Sequence, residues 1–232
     1  MHKLLDEVTT GAEALESTFG AGLFDLYAQR PKSEEAFTKC MRALFGNPTI
    51  AVEYDFSQHH TLLDLGGGMG VTTKEIYQFH SVKNDSKLTK AIVFDLPKVV
   101  IHGSFPEAEY VGGSFFELST IPTGADVILI NGVLHDWNDD ECLAILSNAQ
   151  AVLANSPNSR IVVADFIVPD SKSHPLFNAI TRFDIFMMTV STGHFRTMAE
   201  YKKVFESANL TLIDVRPTRS LNSLFVLAKK EA

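Results

Sequence analysis

Short apolar runs alternate with helical patterns from about residue 60 to the end of the chain. Six such runs predict buried strands, at 61–65, 91–95, 125–130, 159–165, 210–215 and 223–228. A weaker strand candidate lies at 109–111, and helical spacing predicts helices at 71–80, 139–153, 177–190 and 198–208. The first four runs are continuously apolar, which is typical of parallel strands that are covered on both faces. Strands that alternate with helices predict a doubly wound α/β fold.

The last two predicted strands are joined by a loop too short for a helical crossover, so they should be antiparallel neighbours. We therefore expect an α/β fold, a doubly wound and mostly parallel sheet with an antiparallel last strand, preceded by N-terminal helices. Residues 1–56 are predicted to form an N-terminal helical linker segment, and residues 57–232 the sheet domain. Within the first segment, helical spacing predicts one apolar stripe, formed by Phe37, Met41, Leu44 and Phe45.

Composition narrows the class of protein. A chain of 232 residues, 45% of them hydrophobic, fits one large domain or one domain with a helical appendage, and excludes global disorder. The formal net charge of −8 argues against nucleic acid or an anionic membrane as a partner. Because no signal segment and no membrane-length apolar run is visible, we expect a cytoplasmic location. Cys40 and Cys142 should then be free thiols, although an oxidising compartment would allow them to pair.

The most informative stretch is Leu-Asp-Leu-Gly-Gly-Gly-Met-Gly at 63–70, where a strand runs into a glycine turn and a helix follows. Glycines let the main chain turn sharply and let a ligand approach it closely. A dinucleotide site would require a small residue where Val71 stands, and it does not require the acid at Asp64. The pattern favours a ligand with a cationic amino-acid end near Asp64; a turn without any ligand is the alternative.

A second acid follows the second predicted strand, in Phe-Asp-Leu-Pro at 94–97. At the carboxyl end of that strand, Asp95 is placed to accept hydrogen bonds from both ribose hydroxyls of a nucleoside. Its alternative role is a helix N-cap or a solvated turn residue. Asp64, the glycines and Asp95 at this spacing are together more specific than any one of them.

Four motifs follow one another in a fixed order along the chain. They are the glycine motif at 63–70, Phe-Asp-Leu-Pro-Lys-Val at 94–99, Val-Gly-Gly-Ser-Phe-Phe at 111–116 and Leu-His-Asp-Trp-Asn-Asp at 134–139. In this order the chain resembles the S-adenosylmethionine (SAM)-dependent O-methyltransferases of the acetylserotonin and caffeate/chalcone type. Arg196-Thr197, followed by Glu200-Tyr201, is similar to the family's late motif. The resemblance extends from about Phe24 to Lys230 and implies a Rossmann-like class I methyltransferase fold.

The resemblance also implies a SAM site built from several parts of the chain. The implied cofactor-binding residues are Asp64, Gly66, Gly68, Asp95, Leu96, Ser114, Phe115, Asn131 and Met41. Asp64 and the glycines would hold the methionine end, and Asp95 would accept from the ribose. Ser114 and Phe115 would border the adenine. Met41 would pack beside the cofactor, although an ordinary core position on a helix explains the same pattern equally well.

His135 is implied as the general base, and Asp136 as a second catalytic residue. A phenol is a poor nucleophile until its proton is removed, and a histidine with an ordinary pKa of about 6.5 suits that task at neutral pH. The positive charge of the sulfonium already activates the methyl group, so no metal is expected. The alternative for His135 is a capped loop residue after a strand.

Three departures from the family's pattern bear on activity. Ser114 stands where an Asp usually contacts the adenine, and Phe195 stands where a Glu usually steadies the catalytic histidine. Asp136 or Asp165 would then have to replace that Glu. The usual N-terminal winged-helix-like domain is also expected to be absent, which leaves a homodimer possible but without most of its usual surface.

We expect methyl transfer from SAM to a hydroxyl of a small, aromatic molecule, with no nucleic-acid or membrane partner. The Phe and Met residues of the helix at 177–190 would border this acceptor, although a core helix has the same pattern. The alternative of another class is a SAM-binding pseudoenzyme with a regulatory or scaffolding role, which the residues at Ser114 and Phe195 favour. A nicotinamide-dependent dehydrogenase is a weaker alternative because of Val71.

Overall fold

The structure, a computed structural model, describes residues 18–20, 26, 49–103 and 105–230. The predicted helical stripe with Phe37 and Met41 lies outside the described residues, so the role of Met41 beside the cofactor stays a prediction. Cys40 also lies outside them, whereas Cys142 is a buried free thiol, as predicted.

The strands and helices predicted from residue 61 onward are all present. The strands are β1 (Thr61–Leu65), β2 (Lys90–Asp95), β3 (Ala108–Gly112), β4 (Val127–Asn131), β5 (Arg160–Val168), β6 (Arg196–Thr197), β7 (Leu210–Pro217) and β8 (Asn222–Lys229). The α-helices are α1 (Thr49–Glu53), α2 (Val71–His80), α3 (Pro97–Val100), α4 (Asp139–Val152), α5 (Phe177–Val190) and α6 (Met198–Ser207). Short 3-10 turns lie at Phe56–Gln58, Leu118–Thr120 and Leu134–Asp136.

The strands form one sheet in the order β3-β2-β1-β4-β5-β8-β7, with β6 paired to β5. Neighbouring strands from β3 to β5 are parallel. Strand β8 lies between β5 and β7 and runs antiparallel to both of them. The predicted mostly parallel sheet with an antiparallel last strand is therefore confirmed, and the weak candidate at 109–111 is the edge strand β3.

Helices cover both faces of the sheet, as a doubly wound fold requires. Successive strand residues point to opposite faces. Leu63 of β1 accordingly packs in one cluster with residues of α4 and α6, and Leu62 packs in another with residues of α1 and α2. Helix α5 forms a third apolar cluster, which includes Phe166 of β5 and Phe195.

The last residues of the predicted linker segment belong to the packed core. Ile50, Tyr54 and Phe56 are buried in the same cluster as Leu62. This end of the segment is therefore anchored to the sheet domain, and the predicted boundary between 56 and 57 stays a prediction.

The polar residues of the site meet at one edge of the sheet. Strands β1, β2 and β4 are parallel and in register, so Asp64, Asp95 and Asn131 lie at or near their carboxyl ends. In open parallel sheets, ligands bind in the crevice outside these ends. Among the described residues, no helix is long and apolar enough to cross a membrane.

Candidate active site

The glycine turn connects β1 to α2 in a conformation that requires glycine. Gly66 has a φ of +82°, and a Cβ there would lie 2.7 Å from Cγ2 of Val133. A Cβ at Gly67 would lie 2.7 Å from the carboxyl carbon of Asp64. The main-chain N–H of Gly66 donates to the carbonyl of Phe94 at 2.8 Å, which fixes the turn against β2. The turn therefore closes over Asp64. At Gly68 a Cβ would meet nothing within 4 Å, so the main chain there is open to close approach.

Asp64 is a buried carboxylate in which only one oxygen has a hydrogen-bond partner among the described residues. It is 1% exposed, and its Oδ2 accepts from Oγ1 of Thr73 at 2.5 Å. Its Oδ1 has no hydrogen-bond partner in the described part of the chain. Burial raises the pKa of Asp64 to about 7, against the hydrogen bond from Thr73, which lowers it. A buried carboxylate in this state is suited to a cationic donor, because such a group would satisfy Oδ1 and stabilise the charge.

Asp95 ties the glycine turn to the end of β2. Its Oδ2 accepts from the N–H of Gly68 at 2.8 Å, and its Oδ1 accepts from the N–H of Leu96 at 2.7 Å. Burial raises the pKa of Asp95, and the two N–H donors lower it. The structure thus brings together the five sequence-predicted residues of this half of the site, which are Asp64, Gly66, Gly68, Asp95 and Leu96.

The predicted adenine side lies beyond the ends of β3 and β4. The ring of Phe115 packs at right angles to that of Trp137, with centroids 5.7 Å apart, and its Cε1 lies near Gly66. The Oγ of Ser114 accepts from the N–H of Phe116 at 3.3 Å. The Nδ2 of Asn131 donates to Oγ1 of Thr72 at 3.2 Å. Phe115 therefore lies beside the glycine turn, whereas Ser114 bonds within its own loop and Asn131 bonds across to the first turn of α2.

His135 lies in the 3-10 turn Leu134–Asp136, which follows β4, and is only 3% exposed. Its Nδ1 lies 2.8 Å from Oδ1 of Asp165, and its main-chain N–H donates to Oδ2 of the same carboxylate at 3.2 Å. Asp165 also accepts from the N–H of Phe166. Because this carboxylate accepts from its neighbours, Nδ1 of His135 carries the proton in the pair. Nε2 is then the ring atom that takes up a further proton.

The charges around His135 make it a stronger base than a free histidine. Burial opposes the charged form, but Asp165 and Asp136 outweigh it and raise the pKa of His135 to about 9. Oδ1 of Asp136 lies 3.6 Å from Nε2 of His135. Burial also raises the pKa of Asp136 to about 6. Of the two acids that the sequence offered as replacements for the usual Glu, Asp165 makes the close hydrogen bond.

Phe195 packs against the imidazole of His135. Its ring centroid lies 5.3 Å from that of His135, and it is 3% exposed. It also packs against Phe166 at 4.8 Å and Phe183 at 5.3 Å. An apolar ring therefore faces His135 where a carboxylate was expected from the family's pattern.

Arg196 has no predicted role beyond its place in a motif. The structure buries its side chain completely beneath the turn that carries His135, where it donates to main-chain carbonyls. Thr73, which donates to Asp64, was also missed. Its signal in the sequence was a hydroxyl in the first turn of the helix that follows the glycines. In the described part of the chain, no group of His, Cys, Asp or Glu residues is arranged to hold a metal.

The strand order, the antiparallel β8 and the glycine turn after β1 define a Rossmann-like class I methyltransferase fold. The chain matches a family model described as an O-methyltransferase domain over residues 1–210. It therefore belongs to the O-methyltransferase domain family, and the resemblance stated from its motifs is confirmed.

Two relatives of this chain are plant O-methyltransferases. The chain is 33% identical over 219 residues to O-methyltransferase 16 of Lophophora williamsii. This alignment covers 91% of this chain and 55% of that protein. It is 32% identical over 211 residues to flavonoid 3'-O-methyltransferase 3 of Mentha piperita, covering 85% of this chain and 55% of that protein. The chain thus spans about half the length of the curated relatives it matches.

Two solved structures share this fold. The mitomycin 7-O-methyltransferase MmcR superposes with a TM-score of 0.86 at 25% identity, covering 98% of this chain and 66% of that one. TnmH superposes with a TM-score of 0.86 at 28% identity, covering 99% of this chain and 68% of that one. Both agree with the fold class defined by the strand order.

Proposed function

We propose that this chain binds SAM and transfers its methyl group to a hydroxyl of a small aromatic molecule, with His135 as the general base. The observation that carries the proposal is the buried pair of His135 and Asp165, 2.8 Å apart, at the same sheet edge as Asp64 and Asp95. The family supports the type of reaction, because it is one of O-methyltransferases.

The residues at the glycine turn fit SAM. The unpartnered Oδ1 of Asp64 would accept from the ammonium group of the amino-acid end. Asp95 would accept from the ribose hydroxyls, and Phe115 would offer an apolar surface beside the turn. When bound, SAM would supply a methyl group that its sulfonium charge makes electrophilic. Gly66, Gly68, Leu96, Ser114 and Asn131 would line the same crevice.

The chain's own contribution to the reaction is a base held in place. Nε2 of His135 would take the proton of the acceptor hydroxyl, while Asp165 holds Nδ1–H and stabilises the resulting imidazolium. Asp136, whose Oδ1 lies 3.6 Å from Nε2, would contact the same hydroxyl. The remaining work is orientation of the acceptor oxygen, which a rigid site supplies without further chemistry.

An aromatic surface next to His135 favours a flat, apolar acceptor. Phe195 and Phe183 pack together, and Phe183 stacks on Phe186 with centroids 5.8 Å apart and planes within 7°. Phe186 and Ile185 are exposed on α5, so this surface reaches the outside of the molecule. A stack of this kind can be extended by a further ring. The flavonoid methyltransferase of Mentha piperita is named for an aromatic acceptor, which agrees with this proposal.

The proposal is tested by calorimetric titration with SAM, followed by an assay of S-adenosylhomocysteine release with a panel of phenols. We expect SAM binding by the chain and by His135→Gln, and turnover by the unmodified chain alone. His102→Gln, at an exposed histidine, is the matched control and should keep full activity. Equal turnover by His135→Gln would remove His135 from the proposed role.

A SAM-binding pseudoenzyme is the second candidate, and Phe195 is the observation that favours it. The imidazole faces an apolar ring there, and at neutral pH a histidine with a pKa of about 9 is mostly protonated. Binding of SAM without turnover of any phenol, including at high pH, would support this candidate. A cytoplasmic location and a homodimer are further proposals from the sequence.

A further inference from the structure

Arg196 lies beneath the turn that carries His135 and is fully buried. Its Nη1 donates to the carbonyl of Leu134 at 2.9 Å, and its Nη2 donates to the carbonyl of Trp137 at 2.8 Å. These two carbonyls flank His135 and Asp136 on either side. One guanidinium therefore fixes both ends of the catalytic turn.

The charge of Arg196 is balanced within the same structure. Its Nε and Nη2 lie 2.9 and 2.8 Å from Oδ1 of Asp139, at the start of α4. This ion pair orients the planar fork, so that the remaining donors point at main-chain carbonyls, those of Leu134, Trp137 and His194. Each nitrogen of this buried guanidinium donates a hydrogen bond. Displacement of the side chain would therefore be destabilising, because any lost bond leaves a buried polar group unpaired.

The turn is also confined from other sides. Sγ of Cys142 donates to the carbonyl of Leu134 at 3.2 Å. A Cβ at Gly193 would lie 2.1 Å from the carbonyl oxygen of His135, so the main chain before β6 packs directly on the turn. The segment from Gly193 to Arg196 therefore contacts the turn twice. Gly193 packs on its main chain, and Arg196 donates hydrogen bonds to its carbonyls.

We propose that Arg196 is a positioning residue for His135: its guanidinium fixes the turn, so that the imidazole keeps its hydrogen bond to Asp165. The inference rests on the proposed function, because it gives the role of base to His135. Asp165 belongs to β5 and His135 to the turn after β4, so their hydrogen bond requires the turn to be fixed relative to the sheet. Arg196 provides this link, since β6 is paired with β5 through Ile167 and Arg196 themselves.

Three variants separate this role from general stability. Arg196→Met removes both the charge and the fork, and Arg196→Lys keeps the charge but reaches at most one of the two carbonyls well. Arg160→Met is the matched control, because Arg160 also donates to two main-chain carbonyls, those of Pro157 and Ser159, at the opposite end of β5. If Arg196→Met does not fold, Arg196→Lys carries the test.

The first readout is independent of activity. In ¹⁵N-histidine NMR spectra, the Nδ1 proton of His135, assigned by its loss in His135→Gln, should be observed and slow to exchange with solvent. We expect the same in Arg160→Met, at least tenfold faster exchange in Arg196→Met and an intermediate rate in Arg196→Lys. The dissociation constant of SAM should stay close to that of the unmodified chain in every folded variant.

The second readout is turnover of whichever phenol the unmodified chain methylates. We expect kcat to fall by about 10²-fold in Arg196→Met, because small misplacement of a catalytic group has effects of this size. The inference would be overturned if the Nδ1 proton exchanged as slowly in the folded Arg196 variants as in the unmodified chain. It would also be overturned if that proton were not observed in the unmodified chain. Failure of the proposed function is a different result, namely an unmodified chain that binds no SAM or methylates no phenol.

Discussion

Nδ1 of His135 lies 2.8 Å from Oδ1 of Asp165, whose carboxylate has no exposed surface. The two residues are 30 positions apart and come from different elements, the turn after β4 and the strand β5. Three N–H groups converge on this carboxylate, two from His135 and one from Phe166. Asp165 therefore decides both the orientation of the imidazole and which of its nitrogens carries the proton.

Asp165→Asn should abolish most activity without loss of cofactor. The amide can donate to Nδ1, which favours the tautomer with the proton on Nε2, where the acceptor's proton has to go. We expect turnover to fall by about 10²–10⁴-fold, the usual contribution of general base catalysis. SAM affinity, measured by calorimetry, should be unchanged. Asp170→Asn, in an exposed loop, is the control, and equal turnover in the two variants would contradict the role of Asp165.

The rate of methyl transfer should rise with pH up to about pH 9. A general base works in its neutral form, and although burial opposes the charge, Asp165 and Asp136 raise the pKa of His135 to about 9. Below that pH the neutral fraction grows tenfold per unit, so kcat/KM should follow it and then level off. The measurement is the pH profile of kcat/KM with one phenol. A profile that is already flat at about pH 7 would show that His135 titrates as an ordinary histidine.

Much of the fold could be predicted because the strands are short, apolar and separated by clear helical patterns. The predicted helices at 71–80 and 177–190 have the observed bounds. The place of β8 between β5 and β7 was not predicted, because strand order depends on packing between distant segments. The antiparallel pairing of the two strands followed from the short loop alone.

The site was predictable as far as local motifs reach. Asp64, Asp95 and His135 lie in motifs at strand ends, and ligands of open parallel sheets bind at the carboxyl ends of the strands. The partner of His135 remained open between Asp136 and Asp165, because spacing along the chain does not show which acid lies beside the imidazole. The hydrogen bonds of Arg196 were missed because their acceptors are main-chain carbonyls, which carry no sequence signal.

SAM binding should release protons and tighten as pH rises towards 7. Burial raises the pKa of Asp64 to about 7 in the unliganded chain, and a cation beside it would lower that pKa. Below pH 7 binding must therefore displace a proton, whereas well above it the carboxylate is already charged. Calorimetry in buffers of different ionisation enthalpy measures the proton count. Asp64→Asn should bind more weakly and lose this pH dependence; an unchanged count in the variant would assign the proton to another group.

Asp95→Ala should weaken the binding of SAM by about 1.5–3 kcal/mol, which is the usual contribution of hydrogen bonds to a charged group. The variant would also release the N–H of Gly68, which now donates to Oδ2 of Asp95 at 2.8 Å. Asp95→Asn keeps an oxygen acceptor and should bind SAM with intermediate affinity. Affinity of Asp95→Ala equal to that of the unmodified chain would place the ribose elsewhere.

Phe195→Glu should move the pH profile of methyl transfer to higher pH. The ring of Phe195 faces His135 with centroids 5.3 Å apart, so a carboxylate there would favour the imidazolium and raise the pKa of His135 further. The same variant should be less stable to heat, because the position is 3% exposed and its other neighbours, Phe166 and Phe183, are apolar.

Phe195→Leu separates the charge of that variant from the loss of the ring. It removes contacts within the same apolar cluster and should cost about 1–2 kcal/mol of unfolding free energy. It adds no charge near His135, so the midpoint of its pH profile should stay where it is in the unmodified chain. If the profile of Phe195→Glu also keeps that midpoint, residue 195 does not act on the base electrostatically, and its contribution is packing alone.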